Sequence, residues 1–410
     1  MESKFIIDTN ENREYMKELC QKLLNFGKGF LCQGKGSYYL GDDGKPWTDR
    51  PIETWITCRM IHVYSIGYML GFPKAKDLVE GAIEGLRTTL SDKVNEGWYA
   101  GVDANGNPLP LKQCYAHAFV ILASTSGTLI GAKGAKELLV EALEVYDKYF
   151  WDEEAGLAKD TYDIKFKELD SYRGINANMH TVEAFLAVYD ACGEKKYLNR
   201  AGRIIEHVIN WAEANNFRIP EHFTENWEVD LDKNIDKPDD PFKPYGATPG
   251  HGIEWARLIT QWALASYGNS SEADKYIKAA EALYNRAVID GWNVDGSRGI
   301  VYTTDWEGKP VVHDRMHWTL AEAINTSAVL YRVTGNSKYS ADYSEYLCYL
   351  DDIVLDKKTG SWFHQLDEKN NLKATVWPGK SDVYHAIQAT LISYMPINKS
   401  IAKAVKESAK

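Results

Sequence analysis

"TPGHGIEWARLITQWAL", residues 248–264, decides the reading of the fold. A helix starts there with Pro-Gly, sets His251 at its mouth and Glu254 one turn later, and the two share a face. Beyond that turn the segment is small, aromatic and almost uncharged. A helix apolar nearly all round is a buried helix. Taken alone, His251 and Glu254 would be a core histidine satisfied by a neighbouring carboxylate. The rest of the chain changes that reading.

Five further segments have the same character: "TWITCRMIHVYSIGYML", "CYAHAFVILASTSGTLI", "NANMHTVEAFLAVYD", "MHWTLAEAINTSAVLYRVTG" and "DVYHAIQATLIS". They alternate with six amphipathic, charged segments, among them "KDLVEGAIEGLRTTLSD", "YLNRAGRIIEHVINWAEAN" and "SEADKYIKAAEALYNRAVID". Each of these has one apolar stripe and one solvated face, the pattern of an outer layer. Strict alternation of the two styles is a repeat architecture. It predicts an all-α (α/α)6 barrel of six inner and six outer helices, a single catalytic domain over residues 1–410 without a linker. Gly- and Trp-rich stretches between the helices, such as "GWYAGVDANGNPL", "GIVYTTDWEGKPV" and "SWFHQLDEKNNLK", read as short β-hairpins or long loops. An open helical solenoid fits less well, because no polar capping repeat is present.

Within this frame the histidines fall into order. Arg59, His117, His180, His251, His317 and His385 each lie in the first turns of an inner segment, at successive separations of 58, 63, 71, 66 and 68 residues. All six inner helices thus bring a polar side chain to one end of the barrel. The pocket expected there holds Arg59, Tyr115, Asn176, His180, Glu183, His251, Glu254, Trp318, Glu322, Trp377 and His385. Two facing imidazoles can take a proton from one carbon and return it to another, since histidine titrates near neutrality. Glu254, beneath His251, is placed to fix its tautomer, and Glu322 to serve the same ring from the next helix.

Composition narrows the partners. The chain has 13 Trp and 25 Tyr, side chains whose apolar faces and polar handles suit sugars. A net charge of −11 argues against nucleic acid. No stretch has the apolar length of a membrane span, and the amino terminus lacks the pattern of a signal peptide. Six scattered cysteines without close pairs read as reduced thiols, so a cytoplasmic location is expected. No His-Glu-x-x-His or comparable cluster supports a metal site. "GAKGAK" at 131–136 lacks the spacing of a phosphate-binding loop, and no Gly-x-Ser-x-Gly elbow occurs. Glycoside hydrolysis needs two opposed carboxylates, but histidines outnumber acids in this pocket. A sugar-binding protein without catalysis would have no use for facing histidines. The sequence leaves homo-oligomerisation open.

The segments "WITCRMIHVYS", "EGWYAGVD", "YRGINANMHTVEAFL", "EHFTENW", "TPGHGIEWARL", "GIVYTTDWEGKPVV" and "WPGKSDVYHAIQA" together resemble the N-acylglucosamine 2-epimerase superfamily, and within it the aldose–ketose isomerases. That branch includes mannose isomerases and sulfoquinovose isomerases. The resemblance implies a barrel that needs no cofactor and works through a cis-enediol on a monosaccharide, interconverting D-mannose and D-fructose, with related hexoses or D-lyxose as further substrates. It implies His251 as the acid/base between C2 and C1, His385 as its partner, and Glu254 and Glu322 as supporting acids. Arg59, Tyr115, Asn176, His180, Trp318, Trp377 and Ser381 fall at sugar-binding positions. A 2-epimerase would use the same histidines. A sulfoquinovose isomerase would need donors for a sulfonate, and those relatives are Arg-rich where this chain has Pro241 and Lys243, and carry Gln where it has Ser381.

Overall fold

The computed structural model describes residues 5–409, among which thirteen α-helices carry the architecture. The inner helices are α2 (Thr54–Met69), α4 (Cys114–Leu129), α6 (Ile175–Cys192), α8 (Pro249–Tyr267), α10 (His317–Thr334) and α12 (Tyr384–Ala389). They pack in chain order, and α12 returns to α2, so the ring is closed. The outer helices are α1 (Asn10–Gly27), α3 (Ala75–Arg87), α5 (Ala135–Val145), α7 (Lys195–Ala214), α9 (Ser271–Gly291) and α11 (Ser337–Tyr349). The (α/α)6 barrel expected from the alternation is the fold observed. No helix among the described residues is long and apolar enough to cross a membrane.

Burial follows the two sequence styles. In α8 every residue from Pro249 to Ala263 is buried, whereas α7 buries one stripe through Leu198, Ala201, Ile205, Val208 and Ala212. Small polar residues are tolerated inside because their hydroxyls donate to carbonyls one turn back. Thr125 reaches Ile121 O at 2.7 Å, Thr260 reaches Ala256 O at 2.8 Å and Ser327 reaches Ala323 O at 2.7 Å.

A seam of short antiparallel pairs levels the inner helices at one end. The extended residues leading into each inner helix bond to the hairpin of the following repeat. Ile52–Glu53 pairs with Gly101–Val102, Leu111–Gln113 with Thr161–Asp163, Arg173–Gly174 with His222–Phe223, and Arg315–Met316 with Gln365–Leu366, while Ala247 bridges Thr304. The last link joins the chain's two ends: Lys380 N–H donates to Leu40 O at 3.0 Å. The Lys380 ammonium reinforces it, bonding Asp356 at 2.7 Å, Gly360 O at 2.6 Å and Asp42 O at 2.9 Å. The hairpin turns share one chemistry. Asp103, Asp305 and Asp367 each accept backbone N–H groups two and four residues on, at 2.8–3.0 Å.

Two features depart from the sequence reading. The last inner segment, expected to be helical through Ser393, is helical only over Tyr384–Ala389 and then passes through a 3₁₀ turn, Ile392–Tyr394, toward Pro396. The final helix, α13 (Ile401–Ser408), was outside the alternating pattern. It covers the far end of the barrel against α2, α4 and α6, with Lys406 donating to the Leu129 carbonyl at the end of α4. Eight residues are too few for a periodic stripe to stand out.

Two backbones approach closely at Gly85 on α3, where a Cβ would lie 2.4 Å from Lys35 C and Gly36 N. Neither backbone can yield without breaking the Leu31–Ser37 hairpin pairing. Gly85→Ala is therefore expected to lower the unfolding free energy by about 1–3 kcal/mol. Chemical denaturation of both proteins measures this, and equal midpoints would refute the packing argument.

Candidate active site

The levelled helix ends surround a pocket of about 610 Å³, counting its open mouth. His251 and His385 face into it from α8 and α12. Each imidazole is held through Nδ1. The His251 Nδ1–H donates to both oxygens of Glu221, at 2.9 and 3.0 Å. Glu221 is fixed by its own backbone: its carbonyl accepts from Ile175 N–H at 3.1 Å, just beside the Arg173–Gly174 seam pair. The His385 Nδ1–H donates to Glu322 Oε1 at 3.1 Å. With Nδ1 occupied, Nε2 of each ring is the nitrogen left for a ligand.

Below His385 the acids share one cation. Arg257 Nε donates to Glu322 Oε2 at 2.7 Å, Nη1 to Gln261 at 3.1 Å, and Nη2 to Glu254 Oε1 at 3.5 Å. Burial alone would raise the Glu322 carboxyl, but Arg257 and His385 outweigh it and hold it below its ordinary value. Glu254 has the opposite fate. Burial and the neighbouring Glu322 charge push its carboxyl well above its ordinary value, against the pull of Arg257, and so favour the protonated form at the pocket wall. Burial also pulls His385 down, against the pull of Glu322.

The opposite wall is built on Arg59. Its guanidinium lies 4.8 Å from the ring centroids of Trp55, Phe119 and Tyr384, donates to Tyr115 OH at 2.9 Å, and approaches Asp382 at 3.4 Å. Ser381 Oγ donates to the same Asp382 oxygen at 3.1 Å. His180 donates to Glu183 at 3.2 Å, and Glu183 also accepts from Tyr384 OH and Gln388. Burial lowers His180 to about 4. Aromatic surfaces complete the site. Trp318 lies beside both histidines, 5.0 Å from the His251 ring and 6.1 Å from the His385 ring. Trp377 meets Phe242 edge-on at 5.4 Å, and its backbone N–H is held by Gln365 Oε1 at 3.0 Å. Asn176, at the start of α6, also lines the pocket.

The structure brings together His251, His385, Glu254, Arg59, Tyr115, Asn176, His180, Trp318, Trp377 and Ser381 around the pocket, with Glu322 directly behind His385. It changes three assignments. The carboxylate that fixes His251 is Glu221, while Glu254 turns to Arg257 and Glu322 backs His385, not the His251 ring. His117 drops out of the ring of polar side chains. Its Nδ1–H donates to Gln113 O at 2.7 Å and its Nε2 accepts from Trp98 N–H at 3.1 Å, so both nitrogens serve the scaffold. Tyr115 takes the pocket-facing place on that helix instead. Lys243 stacks on Tyr172, 3.8 Å from the ring centroid, while Pro241, Phe242 and Pro244 line the pocket beside it. Sequence reasoning also passed over Arg257, Asp382 and His364. Glu221 stood within the segment "EHFTENW" that carried the family resemblance.

This arrangement defines an (α/α)6 barrel with two carboxylate-backed histidines at its mouth. The chain belongs to the N-acylglucosamine 2-epimerase (GlcNAc 2-epimerase) family, whose pattern matches residues 36–389. A D-mannose isomerase from Thermobifida fusca is 39% identical over 399 residues, spanning 96% of this chain and 97% of its own. Another, from Pseudomonas cannabina pv. alisalensis, is 38% identical over 388 residues, 94% and 93% of the two chains. A crystal structure of a D-mannose isomerase matches with a TM-score of 0.86 at 26% identity, covering 93% of this chain and 97% of that one.

Two outcomes follow from the site. Glu221→Gln keeps the shape but removes the charge that orients His251, so kcat is expected to fall about 10²–10⁴-fold with the circular-dichroism spectrum unchanged. A near-normal rate would detach Glu221 from the chemistry. The second concerns acid. Burial holds His62 and His180 down at about 4 and His117 and His317 at about 3, against 6.5 unperturbed. Below pH 6.5 the unfolded chain binds protons that the folded chain refuses, so stability falls as pH falls. Each such histidine steepens the loss by at most about 1.4 kcal/mol per pH unit. Thermal unfolding midpoints should thus drop between about pH 6.5 and 4, where a flat profile would contradict the burial of neutral imidazoles.

Proposed function

We propose that the protein is an aldose–ketose isomerase that interconverts D-mannose and D-fructose. One observation carries the reading: two imidazoles, each tied through Nδ1 to a carboxylate, lie beside the same tryptophan ring, at 5.0 and 6.1 Å between centroids. A sugar resting on Trp318 has a base on each side. In this reading His251 removes the C2 proton and returns it at C1 through a cis-enediol, with Glu221 stabilising the imidazolium that forms. His385 relays protons at the oxygens during ring opening and enolisation, supported by Glu322. Glu254, kept neutral, donates a hydrogen bond to a substrate oxygen as negative charge grows there. Arg59, Tyr115, Asn176, His180, Trp377 and Ser381 hold the remaining hydroxyls. The names of the two bacterial relatives and of the structural neighbour support mannose as the sugar.

The far wall favours a neutral hexose over a sulfonated one. Pro241 and Pro244 bring no donor there, Lys243 is spent on Tyr172, and the Ser381 hydroxyl is directed to Asp382. A sulfonate there would have to take its charge-assisted hydrogen bonds from Arg59, which is already engaged by Tyr115 and Asp382.

A 2-epimerase would use the same pair of histidines but return the proton to the other face of C2. Turnover in heavy water separates the two. Mannose is expected to give fructose with deuterium at C1, and to surpass sulfoquinovose in kcat/KM at least tenfold, which corresponds to losing one charge-assisted hydrogen bond of roughly 1.5–3 kcal/mol. Glucose labelled at C2 as the dominant early product would make the protein an epimerase, and the reverse order of the two sugars would overturn the substrate.

A further inference from the structure

The seam pair Arg315–Met316 and Gln365–Leu366 sets Met316 opposite Gln365. One step further along the antiparallel ladder, His317 faces His364, and the His317 N–H donates to the His364 carbonyl at 3.1 Å. Residues directly opposite in such a ladder project to the same side. The two imidazoles accordingly lie parallel, with ring centroids 3.7 Å apart and planes at 9°. Both line the pocket, and His317 meets the catalytic-side His385 edge-on at 6.2 Å.

What sets this pair apart is its polar atoms. Among the described residues, neither ring nitrogen of His364 makes a hydrogen bond, although the residue is only 3% exposed. His317 has one long contact, from Nδ1 to the His364 carbonyl at 3.4 Å. The other histidines of the pocket, His180, His251 and His385, each have a carboxylate at Nδ1. Buried polar groups are bonded in the great majority of cases, so a pair left open toward a pocket is matched to something that enters it.

We infer that His317 and His364 form a specificity-determining donor–acceptor pair that binds hydroxyls of the sugar other than those at the reacting carbons. The inference deepens the proposed function and rests on it. The charges around the pair agree. Burial keeps both rings neutral, helped by the Arg59 charge near both and by the Lys380 ammonium near His364. A neutral imidazole offers one donor and one acceptor, which is what a hydroxyl also offers. Lys380 itself is unavailable to a ligand, because its ammonium is enclosed by Asp42, Asp356, Thr359 and Gly360. A stacked neutral pair therefore reads an uncharged polyol.

The test compares wild type, His364→Phe and His364→Gln on mannose and on its 3-, 4- and 6-deoxy analogues. Phenylalanine preserves the stack and removes both nitrogens, whereas glutamine keeps one donor and one acceptor without an aromatic ring. His364→Phe is expected to raise KM about tenfold with a much smaller change in kcat. The deoxy analogue that wild type handles poorly should be no worse than mannose for this variant, and His364→Gln should recover most of the lost affinity. A phenylalanine variant with wild-type KM and unchanged discrimination among the analogues would reduce the pair to scaffolding. Wild-type turnover of mannose judges the proposed function separately. If another aldose is the better substrate, the same ratios measured on it and its deoxy forms decide the inference.

Discussion

The barrel depends on the seam of two- and three-residue antiparallel pairs at its mouth. Six helices packed in a ring are held along their axes by apolar contacts, which are individually tolerant of small shifts. Backbone hydrogen bonds are not. By tying the residue before each inner helix to a neighbouring hairpin, the seam puts the first turns of all six helices at one height. Side chains from segments some 60–70 residues apart in sequence then meet around one pocket. The catalytic geometry is a property of this levelling more than of any single helix.

The pocket's electrostatics follow from a shortage of cations. Glu183, Glu254 and Glu322 are buried at one depth, and Arg257 is the guanidinium that touches two of them. One positive charge cannot support three buried carboxylates, since unpaired burial costs several kcal/mol per ion. The structure divides the burden by neutralising Glu254, by pairing Glu322 with both Arg257 and His385, and by surrounding Glu183 with His180, Tyr384 and Gln388. Each acid thereby acquires a different protonation behaviour from nearly the same burial. That diversity is what acid–base chemistry on a sugar requires.

Much of this was legible in the sequence because it is local. Two styles of helix identify themselves by which faces are charged, and five of the six first-turn polar residues do line the pocket. Trp318 and Trp377 were assigned through the family resemblance, and both line the pocket. Pairing was less legible, because it depends on which elements meet. Glu254 shares a face with His251 at three-residue spacing, but the helix turns its carboxylate toward Arg257, and the partner is Glu221, thirty positions upstream and just before the two-residue strand His222–Phe223. Periodicity says nothing about a carboxylate in an extended segment. His117 shows the converse: a correct position on its helix, but with both nitrogens satisfied by neighbouring backbone. The shortened α12 and the added α13 were hidden because neither has enough turns to show a period.

The closure of the ring has a consequence for how the protein is made. The contacts that join Lys380 to Asp42 span 338 residues of chain, so they are among the last to become possible during synthesis. Until then the inner face of α2 lacks its neighbour α12, and a growing chain holds an open crescent of apolar helices. At that stage the segments that carry Glu221 and His251 have been made, while the one that carries His385 has not. Chemistry that needs both imidazoles is switched on by the final joining of the ring. A chain that stops short of α12 would leave the apolar edge of α2 uncovered and would lack one of the two pocket imidazoles.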